Sequence, residues 1–562
     1  MNKLLMAVQL TTALLFSGLS HAQTLEEGKK FLYYDRHVSA RKIFERIVQA
    51  DPNNTEAVYW LGITLFVPDY ESDMNAARSL YQKTLMNNSN SALLLAGMGH
   101  IELAEGRAQD ARNRFETAIS LSQGKNAAVL NAIGYANIQA QGGDANYAVE
   151  KLQQATQLKN MKDPDVWANL GDAYKKLTQG GPAQTAYETA LELNPNYARA
   201  SYRIGKIYQS QGKAQEELYM RYYNEAIAKD PAYAPVYENL YQYYYQTDVN
   251  KSAEYLDKYL QHADNDPKDC YYGASMKYAQ GLFADCISKA NACIAAEGDH
   301  PYPNLFGLKA FAYDKLGDSL NAVKSFDEYF QKQQPAKIGP TDWLTYGKLQ
   351  LKFPGKELEA GASIDKAVAL DSTEKGKVDA LKVMSAYYES QKRYKDAADW
   401  YSKINSIKKE VRKTDLYNAG YNYFRSGDYN ASINVFNVYT EKFPEDAFGY
   451  YMVGKANWAI DSTLERGLAN PAFEKAIQVG LTDSVKYKNQ LIGSYKYFIV
   501  YSVYKKDKTA ALNYCDRVLS LDANDAETIN NRGIISSSSP APKPAKPAPA
   551  KATGDAPKGN KP

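Results

Sequence analysis

Histidine and cysteine supply many catalytic and metal-binding sites, and both residue types are sparse in this chain. The 562 residues include 5 His and 4 Cys. His21, His37, His100, His262 and His300 are scattered singly. The motifs His-Glu-x-x-His, Gly-x-Ser-x-Gly and Gly-x4-Gly-Lys-Ser/Thr are absent, which leaves no zinc-peptidase, serine-hydrolase or P-loop signature. No Cys-x2-Cys pair indicates a metal site. We therefore predict a protein that is not an enzyme and holds no cofactor or metal.

A recurring pattern of small, aromatic and apolar residues predicts the helices that would position any functional side chains. Its clearest copy runs from Pro164 to Pro195. Spacings of three and four residues place the apolar positions on one face of each of two helices, and Pro195 ends the second helix. These positions are Trp167, Leu170, Gly171 and Tyr174 in the first helix, and Ala183, Tyr187 and Ala190 in the second. The unit Trp-x2-Leu-Gly-x2-Tyr, followed by Ala-x3-Tyr-x2-Ala and Pro, resembles the tetratricopeptide repeat (TPR) family.

Variants of this unit recur between residues 23 and 525, and about fourteen copies are counted. The resemblance implies an all-α fold, a right-handed superhelical α-solenoid of TPR-like helix-turn-helix repeats. In that family the first helices of successive repeats line a concave groove. Such a chain is stabilised by contacts between neighbouring repeats and has no single central core.

The family geometry also indicates which side chains would face the groove. The predicted groove residues are aromatic and cationic, a combination that suits peptides or stacked sugars; they are Tyr202, Lys206, Tyr245, Tyr271, Tyr278, Phe311, Tyr417, Tyr421, Arg425, Tyr451, Lys455 and Trp458. An alternative is that these rings pack between adjacent repeats. Asn131 and Asn169 match part, but not all, of the amide and lysine set with which some family members bind a peptide carboxylate.

Three cysteines align within one repeat. The alignment places Cys270 near the start of a first helix, and Cys286 and Cys293 at small-residue positions of the second helix. They could serve as small core residues. Alternatively, Cys270 and Cys293 could form a disulfide, because the start of one helix lies beside the end of its antiparallel partner. Cys515 is interpreted as a core residue.

Both chain ends differ in composition from the repeats. Residues 1–22 have the basic start, apolar stretch and Ser-His-Ala ending of a cleaved signal peptide, so we expect export to the periplasm. We divide the mature chain into repeats at 23–262, more divergent repeats at 263–535, and a disordered Pro/Ala/Lys-rich tail at 536–562. Weaker joints are expected near residues 261–268 and 331–340, where polar residues and Pro interrupt the pattern.

Four Asp-Ser pairs fall in predicted loops. They resemble an acceptor motif for periplasmic O-glycosylation, which makes Ser319, Ser372, Ser462 and Ser484 candidate sites. Asp-Ser is also common turn chemistry, and this explains the loop placement without any sugar.

The net charge of the repeat region argues against a nucleic-acid partner. The net charge is +3, but five Lys lie in the tail, so the repeat region itself is slightly acidic and lacks the footprint of a nucleic-acid binder. We predict a non-enzymatic periplasmic scaffold that binds proteins or peptides in envelope assembly or secretion, with no transmembrane segment after export. The alternative is a glycan- or cell-wall-binding protein, with the tail contributing contacts.

Overall fold

The structure is a computed structural model that describes residues 25–66, 73–264, 266–298 and 301–537. The predicted signal peptide and all but the first two residues of the predicted tail lie outside these ranges. Every regular element within them is a helix, which confirms the all-α prediction. In the same ranges, no helix combines the length and apolarity needed to cross a bilayer.

The described residues separate into two compact units at Gln333/Gln334. This division falls in the second of the two joints expected from sequence. The boundary that we placed between residues 262 and 263 lies inside the first unit, between two of its helices.

Unit 1 contains nine successive helix pairs among its described residues. Its helices are α1 (25–33), α2 (His37–Ala50), α3 (Thr55–Phe66), α4 (Met74–Asn87), α5 (Ala92–Ala104), α6 (Ala108–Leu121), α7 (Ala127–Gln139), α8 (Ala145–Thr156), α9 (Pro164–Lys176), α10 (Gly180–Leu193), α11 (Ala198–Ser210), α12 (Glu216–Lys229), α13 (Ala234–Tyr244), α14 (Val249–His262), α15 (Pro267–Ala279), α16 (Phe283–Glu297), α17 (Asn304–Lys315) and α18 (Ser319–Lys332). Odd-numbered helices are the first of each pair.

Unit 2 contains five pairs and a final helix among the residues described for it. Its helices are α19 (Pro340–Gln350), α20 (Glu357–Leu370), α21 (Glu374–Ser390), α22 (Tyr394–Ile407), α23 (Lys413–Ser426), α24 (Tyr429–Lys442), α25 (Ala447–Ile460), α26 (Asn470–Gly480), α27 (Lys488–Tyr504), α28 (Lys508–Leu521) and α29 (Ala526–Ser537). The fourteen pairs match the predicted number of repeats. Helix α29 was not predicted, and it extends two residues into the segment that we assigned to the tail.

Eight of the fourteen pairs described have a close crossing at a glycine of the first helix. The glycine faces a large buried side chain of the second helix, and a Cβ placed there would lie 2.2–2.7 Å from that side chain. The glycine–partner pairs are Gly28 and Phe44, Gly62 and Tyr81, Gly99 and Phe115, Gly134 and Leu152, Gly171 and Tyr187, Gly205 and Tyr223, Gly420 and Phe436, and Gly454 and Phe473. In these eight pairs the sequence pattern therefore encodes the crossing point of the two helices.

Candidate binding site

The first helices of seven pairs converge on one cavity in unit 1. Side chains from α1, α3, α5, α7, α9, α11 and α13 line a space of about 470 Å³. The wall includes six aromatic residues: Tyr33, Tyr59, Trp60, Tyr135, Tyr202 and Tyr233. A volume of this size lies within the range of small-ligand sites in proteins. Unit 1 therefore contains a preformed pocket whose wall is partly aromatic.

Residues 33–39, which we call the strap, connect the first repeat to the sixth and seventh. The Asp264 carboxylate accepts hydrogen bonds from the backbone N–H groups of Val38 (2.7 Å) and Ser39 (3.0 Å), and it pairs with Arg36 at 3.2 Å. The Tyr34 hydroxyl donates to Asp230 at 3.0 Å. These contacts join segments about two hundred residues apart in sequence, so the strap closes the turn of helices that surrounds the cavity.

Aromatic packing supports the same closure. The Tyr33 ring lies 5.4 Å from the Tyr197 ring and 5.2 Å from the Tyr233 ring, measured between centroids. Tyr197 and Tyr233 are almost fully buried. Tilted aromatic pairs at such distances contribute beyond the burial of their surface. The strap thus belongs to the hydrophobic packing of α11 to α13 as well as to its polar network.

The inner faces of α9 and α11 carry a charged network centred on Asp172. Its carboxylate accepts from the Tyr187 hydroxyl at 2.6 Å and lies 2.8 Å from Arg199 Nη2 and 3.2 Å from Arg203 Nε. Burial alone would raise the pKa of Asp172, but the guanidinium groups of Arg203 and Arg199 hold that pKa below its usual value. The buried carboxylate of Asp172 therefore partly neutralises the charges of both Arg199 and Arg203.

Two asparagines extend this network across three repeats. Arg199 Nη2 donates to Asn169 Oδ1 at 2.7 Å, and Asn169 Nδ2 donates to Asn131 Oδ1 at 2.8 Å. The asparagines singled out from the sequence thus lie together in the cavity wall. In this structure their amides bind one another and an arginine.

Two lysines lie near this arginine pair. Burial and the charge of Arg203 lower the pKa of Lys175 on α9. Burial, together with the charges of Lys175 and Arg203, also lowers the pKa of Lys206 on α11, whose Nζ donates to Asn239 Oδ1 at 2.7 Å. Burial is the larger cause of both lowered pKa values, and the neighbouring positive charges add to it.

The predicted groove residues of unit 1 divide into two groups. Tyr202 lines the cavity, and Lys206 lies about one turn after Tyr202 on the same helix, α11. The others make seam contacts. Tyr245 donates to the Ser275 carbonyl at 2.9 Å, and Tyr271, Tyr278 and Phe311 form edge-on ring contacts with Tyr302, Phe283 and Phe326, respectively.

In unit 2, three predicted residues form an open strip on α23, which we call the α23 stripe: Tyr417, Tyr421 and Arg425. The Tyr417 and Tyr421 rings stack at 5.2 Å with an interplanar angle of 12°. Tyr417 is 38% exposed, and Arg425 is exposed while its guanidinium lies 3.7 Å from the Tyr394 ring centroid. The stripe therefore offers rings and a cation to a partner.

The remaining predicted residues of unit 2 lie on α25. Tyr451 packs edge-on against Phe473, and Trp458 packs edge-on against Tyr497 at 5.3 Å. The Lys455 ammonium lies 5.0 Å from the Phe424 ring centroid. These three side chains are half-buried, because each packs against a neighbouring ring and remains partly accessible.

A disulfide joins Cys270 of α15 to Cys293 of α16, with their Cα atoms 5.9 Å apart. It connects the start of one helix to the end of its antiparallel partner. Cys286 and Cys515 are free and buried. Burial raises the pKa of the Cys286 thiol to about 11 and also raises that of Cys515, so both remain protonated and weakly nucleophilic.

The four candidate glycosylation serines lie at helix ends or in loops. Ser372 and Ser462 are exposed, whereas Ser319 and Ser484 are half-buried. In each Asp-Ser pair, the aspartate accepts a hydrogen bond from a backbone N–H two to five residues later. The turn chemistry considered as an alternative is thus present at all four positions, and it leaves the two exposed hydroxyls accessible.

Sequence reasoning missed most of the cavity wall, including Trp60, Arg199, Arg203 and the strap. Arg199 and Arg203 precede Lys206 by seven and three residues. This spacing places the three side chains on one face of α11, so the sequence contained a signal for the two arginines. The strap had no comparable signal. Within the described ranges, no group of three or more His, Cys, Asp or Glu side chains could hold a metal ion.

Comparisons with known proteins agree with this architecture. A family model described as tetratricopeptide repeat matches residues 164–197, and a second, described as TPR repeat, matches residues 183–212. The peroxisomal targeting signal receptor of Kluyveromyces lactis is 27% identical over 198 residues, which cover 35% of this chain and 34% of the receptor. Mouse superkiller complex protein 3 is 24% identical over 254 residues, covering 38% of this chain and 15% of that protein. The chain thus spans only about a third or less of these two relatives.

Among solved structures, the C-terminal part of a TPR repeat-containing protein from Cytophaga hutchinsonii is 25% identical. The match covers 46% of this chain and 98% of that chain, with a TM-score of 0.30. The two matched models identify tetratricopeptide repeats at residues 164–212, and eight helix pairs across both units share the close glycine crossing seen there.

Proposed function

We propose that this protein is an exported, non-enzymatic scaffold that binds protein or peptide partners and acts in envelope assembly or secretion. The repeat fold is one on which protein–protein interaction scaffolds are commonly built, and proteins of such repeats are generally not enzymes. The α23 stripe is the observation that carries the proposal. Stacked, partly exposed tyrosines beside an arginine suit recognition of a protein surface, because these residue types dominate binding hot spots.

The relatives are consistent with a binding role. By its name, the peroxisomal targeting signal receptor receives a targeting signal, and superkiller complex protein 3 is a component of a complex. Both names describe proteins that work through association. Because the matches cover limited parts of those proteins, the partner of this chain is a separate question, which the following experiment addresses.

The test is an affinity pull-down from native envelope extract with full-length protein and the variant Tyr417→Ala/Tyr421→Ala. We expect a discrete set of proteins with the wild type, and about a tenfold or greater loss with the variant, because two hot-spot rings are removed. Tyr504→Ala is the matched control, since this exposed tyrosine lies on α27 outside the stripe. Circular dichroism checks that each variant remains helical. Equal recovery by the variant, or recovery of polysaccharide alone, would refute the protein-scaffold proposal.

Export is supported by the disulfide, because such bonds persist in oxidising compartments. We expect the intact mass of protein purified from the periplasm to correspond to a chain that begins at Gln23. Extra mass on peptides containing Ser372 or Ser462 would indicate glycosylation of these exposed hydroxyls. A mass equal to that of the unmodified sequence from Gln23 would eliminate the glycosylation hypothesis, and a retained residue 1–22 segment would eliminate the signal-peptide assignment.

A further inference from the structure

The cavity of unit 1 is acidic as well as aromatic. Its wall includes the cationic side chains of Lys29, Arg199 and Arg203, and five carboxylates, which are those of Asp35, Glu56, Asp163, Asp165 and Glu238. With histidine counted as neutral, the lining residues have two more negative charges than positive ones. The charges of both arginines are further reduced by Asp172, which is not a lining residue. A ligand that enters this space therefore meets an excess of negative charge.

On the side of the strap and α13, the carboxylates have cationic neighbours. Glu238 lies 2.8 Å from Lys268 Nζ. Burial alone would raise the pKa of Asp35, but the hydrogen bond with His37 and the charge of Lys268 hold that pKa below its usual value. This side of the cavity is therefore already supplied with positive charge.

The carboxylates at the starts of α3 and α9 are less well compensated. Glu56 lies 2.5 Å from Lys29 Nζ, and Asp165 lies 3.2 Å from Arg199 Nη1. Asp163 forms no ion pair within the described ranges. Burial and the charge of Asp165 raise the pKa of Asp163, because no cation offsets them fully. The excess negative charge of the cavity is therefore concentrated around Asp163.

Asp163 also has unused capacity to accept hydrogen bonds. It is the N-cap residue of α9, and its Oδ1 accepts from the backbone N–H of Asp165 at 2.9 Å. Its Oδ2 has no hydrogen-bond partner in the part of the chain that the structure describes, and the side chain is exposed where it lines the cavity. A carboxylate offers about four acceptor positions. The helix cap thus uses only part of this group.

Aromatic rings lie one helical turn beyond the charged residues. Trp60 follows Glu56 by four positions on α3, and Tyr33 follows Lys29 by four positions on α1, so each ring shares a helix face with the charge before it. Both rings line the cavity. The Trp60 indole N–H is buried and has no hydrogen-bond partner among the described residues, which is uncommon in folded proteins. The faces of such rings attract cations, and tryptophan does so most strongly.

We propose that the unit 1 cavity binds a small organic cation, with its ammonium group beside Asp163 and Glu56 and against the ring of Trp60. The cation supplies the positive charge that this side of the cavity lacks, and the aromatic wall contacts its carbon atoms. A neutral sugar or an anion would leave the excess carboxylate charge uncompensated. The site lies in unit 1, whereas the α23 stripe lies in unit 2, so either proposal can fail without affecting the other.

The test is isothermal titration calorimetry of the full-length protein with choline and with putrescine. Each cation is compared with an uncharged analogue of similar shape, dimethylbutanol for choline and butanediol for putrescine. We expect at least one cation to bind with a Kd below about 1 mM and at least about tenfold more tightly than its analogue, because the ring and carboxylate contacts both require the charge. Preference for choline identifies a site dominated by the rings, and preference for putrescine identifies one dominated by the carboxylates. Binding of neither cation, or equal binding of the uncharged analogues, overturns the proposal.

Variants locate the site. Asp163→Asn is expected to weaken binding of the preferred cation about tenfold, because it removes the charge and keeps a residue that caps helices well. Trp60→Phe should weaken binding about threefold, since phenylalanine attracts cations less strongly. Asp144→Asn is the matched control, because it makes the same change at the N-cap of α8, outside the cavity lining, and should bind as the wild type does. Circular dichroism checks that each variant remains helical. Unchanged affinity in both cavity variants overturns the assignment, and so does an equal loss in Asp144→Asn.

Discussion

Replacing Gly171 with Ala is expected to destabilise unit 1 by about 2 kcal/mol. The added Cβ would lie 2.5 Å from Cε1 of Tyr187. The Tyr187 ring is fully buried, and its hydroxyl is hydrogen-bonded to Asp172, so it cannot move aside without breaking that contact. Overpacking of this kind outweighs the gain of up to about 1 kcal/mol that Ala normally brings to a helix. The measurement is urea denaturation followed by circular dichroism.

The same repeat provides a matched control. Gly181 lies in α10, and a Cβ there would have no heavy atom within 4 Å. Gly181→Ala should therefore be neutral or stabilising by up to about 1 kcal/mol, the opposite sign to Gly171→Ala. If both substitutions changed the urea midpoint in the same direction, the close helix crossing at Gly171 would not be the determinant of this repeat's stability.

Removing the Cys270–Cys293 disulfide is expected to cost the α15–α16 repeat about 3 kcal/mol. The two cysteines are separated by 23 positions, and the cross-link restricts the unfolded chain over that loop. In a repeat array, stability depends on contacts between neighbours, so the loss should be concentrated in α15, α16 and the adjoining pairs. Hydrogen exchange with mass spectrometry, on the wild type and on Cys270→Ser/Cys293→Ser, measures this local effect.

A reductant provides the control for this prediction. It should increase exchange in α15 and α16 of the wild type and leave the double variant unchanged, because the variant has no bond to reduce. Helices α5 and α6, which lie several repeats away, should be unaffected in both proteins. Identical exchange in oxidised and reduced wild type would show that the bond contributes nothing to the stability of this repeat.

The strap and the cavity it closes could not be read from the sequence. The Tyr34–Asp230 contact spans 196 positions and the Val38–Asp264 contact spans 226. Whether such segments meet depends on the rotation accumulated over several helix pairs, and small differences at each pair add up. The convergence of Trp60 and Arg203 on one space follows from that same accumulated geometry.

The orientation of individual aromatic rings was also decided by packing. Tyr245 directly follows α13 and Tyr417 lies on α23, and the sequence analysis assigns both side chains to the inner face. Tyr245 instead reaches the Ser275 carbonyl of the next repeat, whereas Tyr417 stacks on Tyr421 and stays partly exposed. The difference arises from what the adjacent repeat offers each ring, and a single-helix pattern contains no such information.

What the sequence alone determined is the repeating helix pair. Gly171 and Tyr187 are sixteen positions apart and meet within one helical hairpin, so local spacing suffices to predict their contact and hence the all-α repeat fold. The tertiary structure decided which inner-face residues enclose a cavity and which pack in seams. The physical reason is the sequence distance over which each contact forms. The crossing within a pair depends on residues close together in sequence. The contact of the strap with Asp264 depends on the summed geometry of seven pairs.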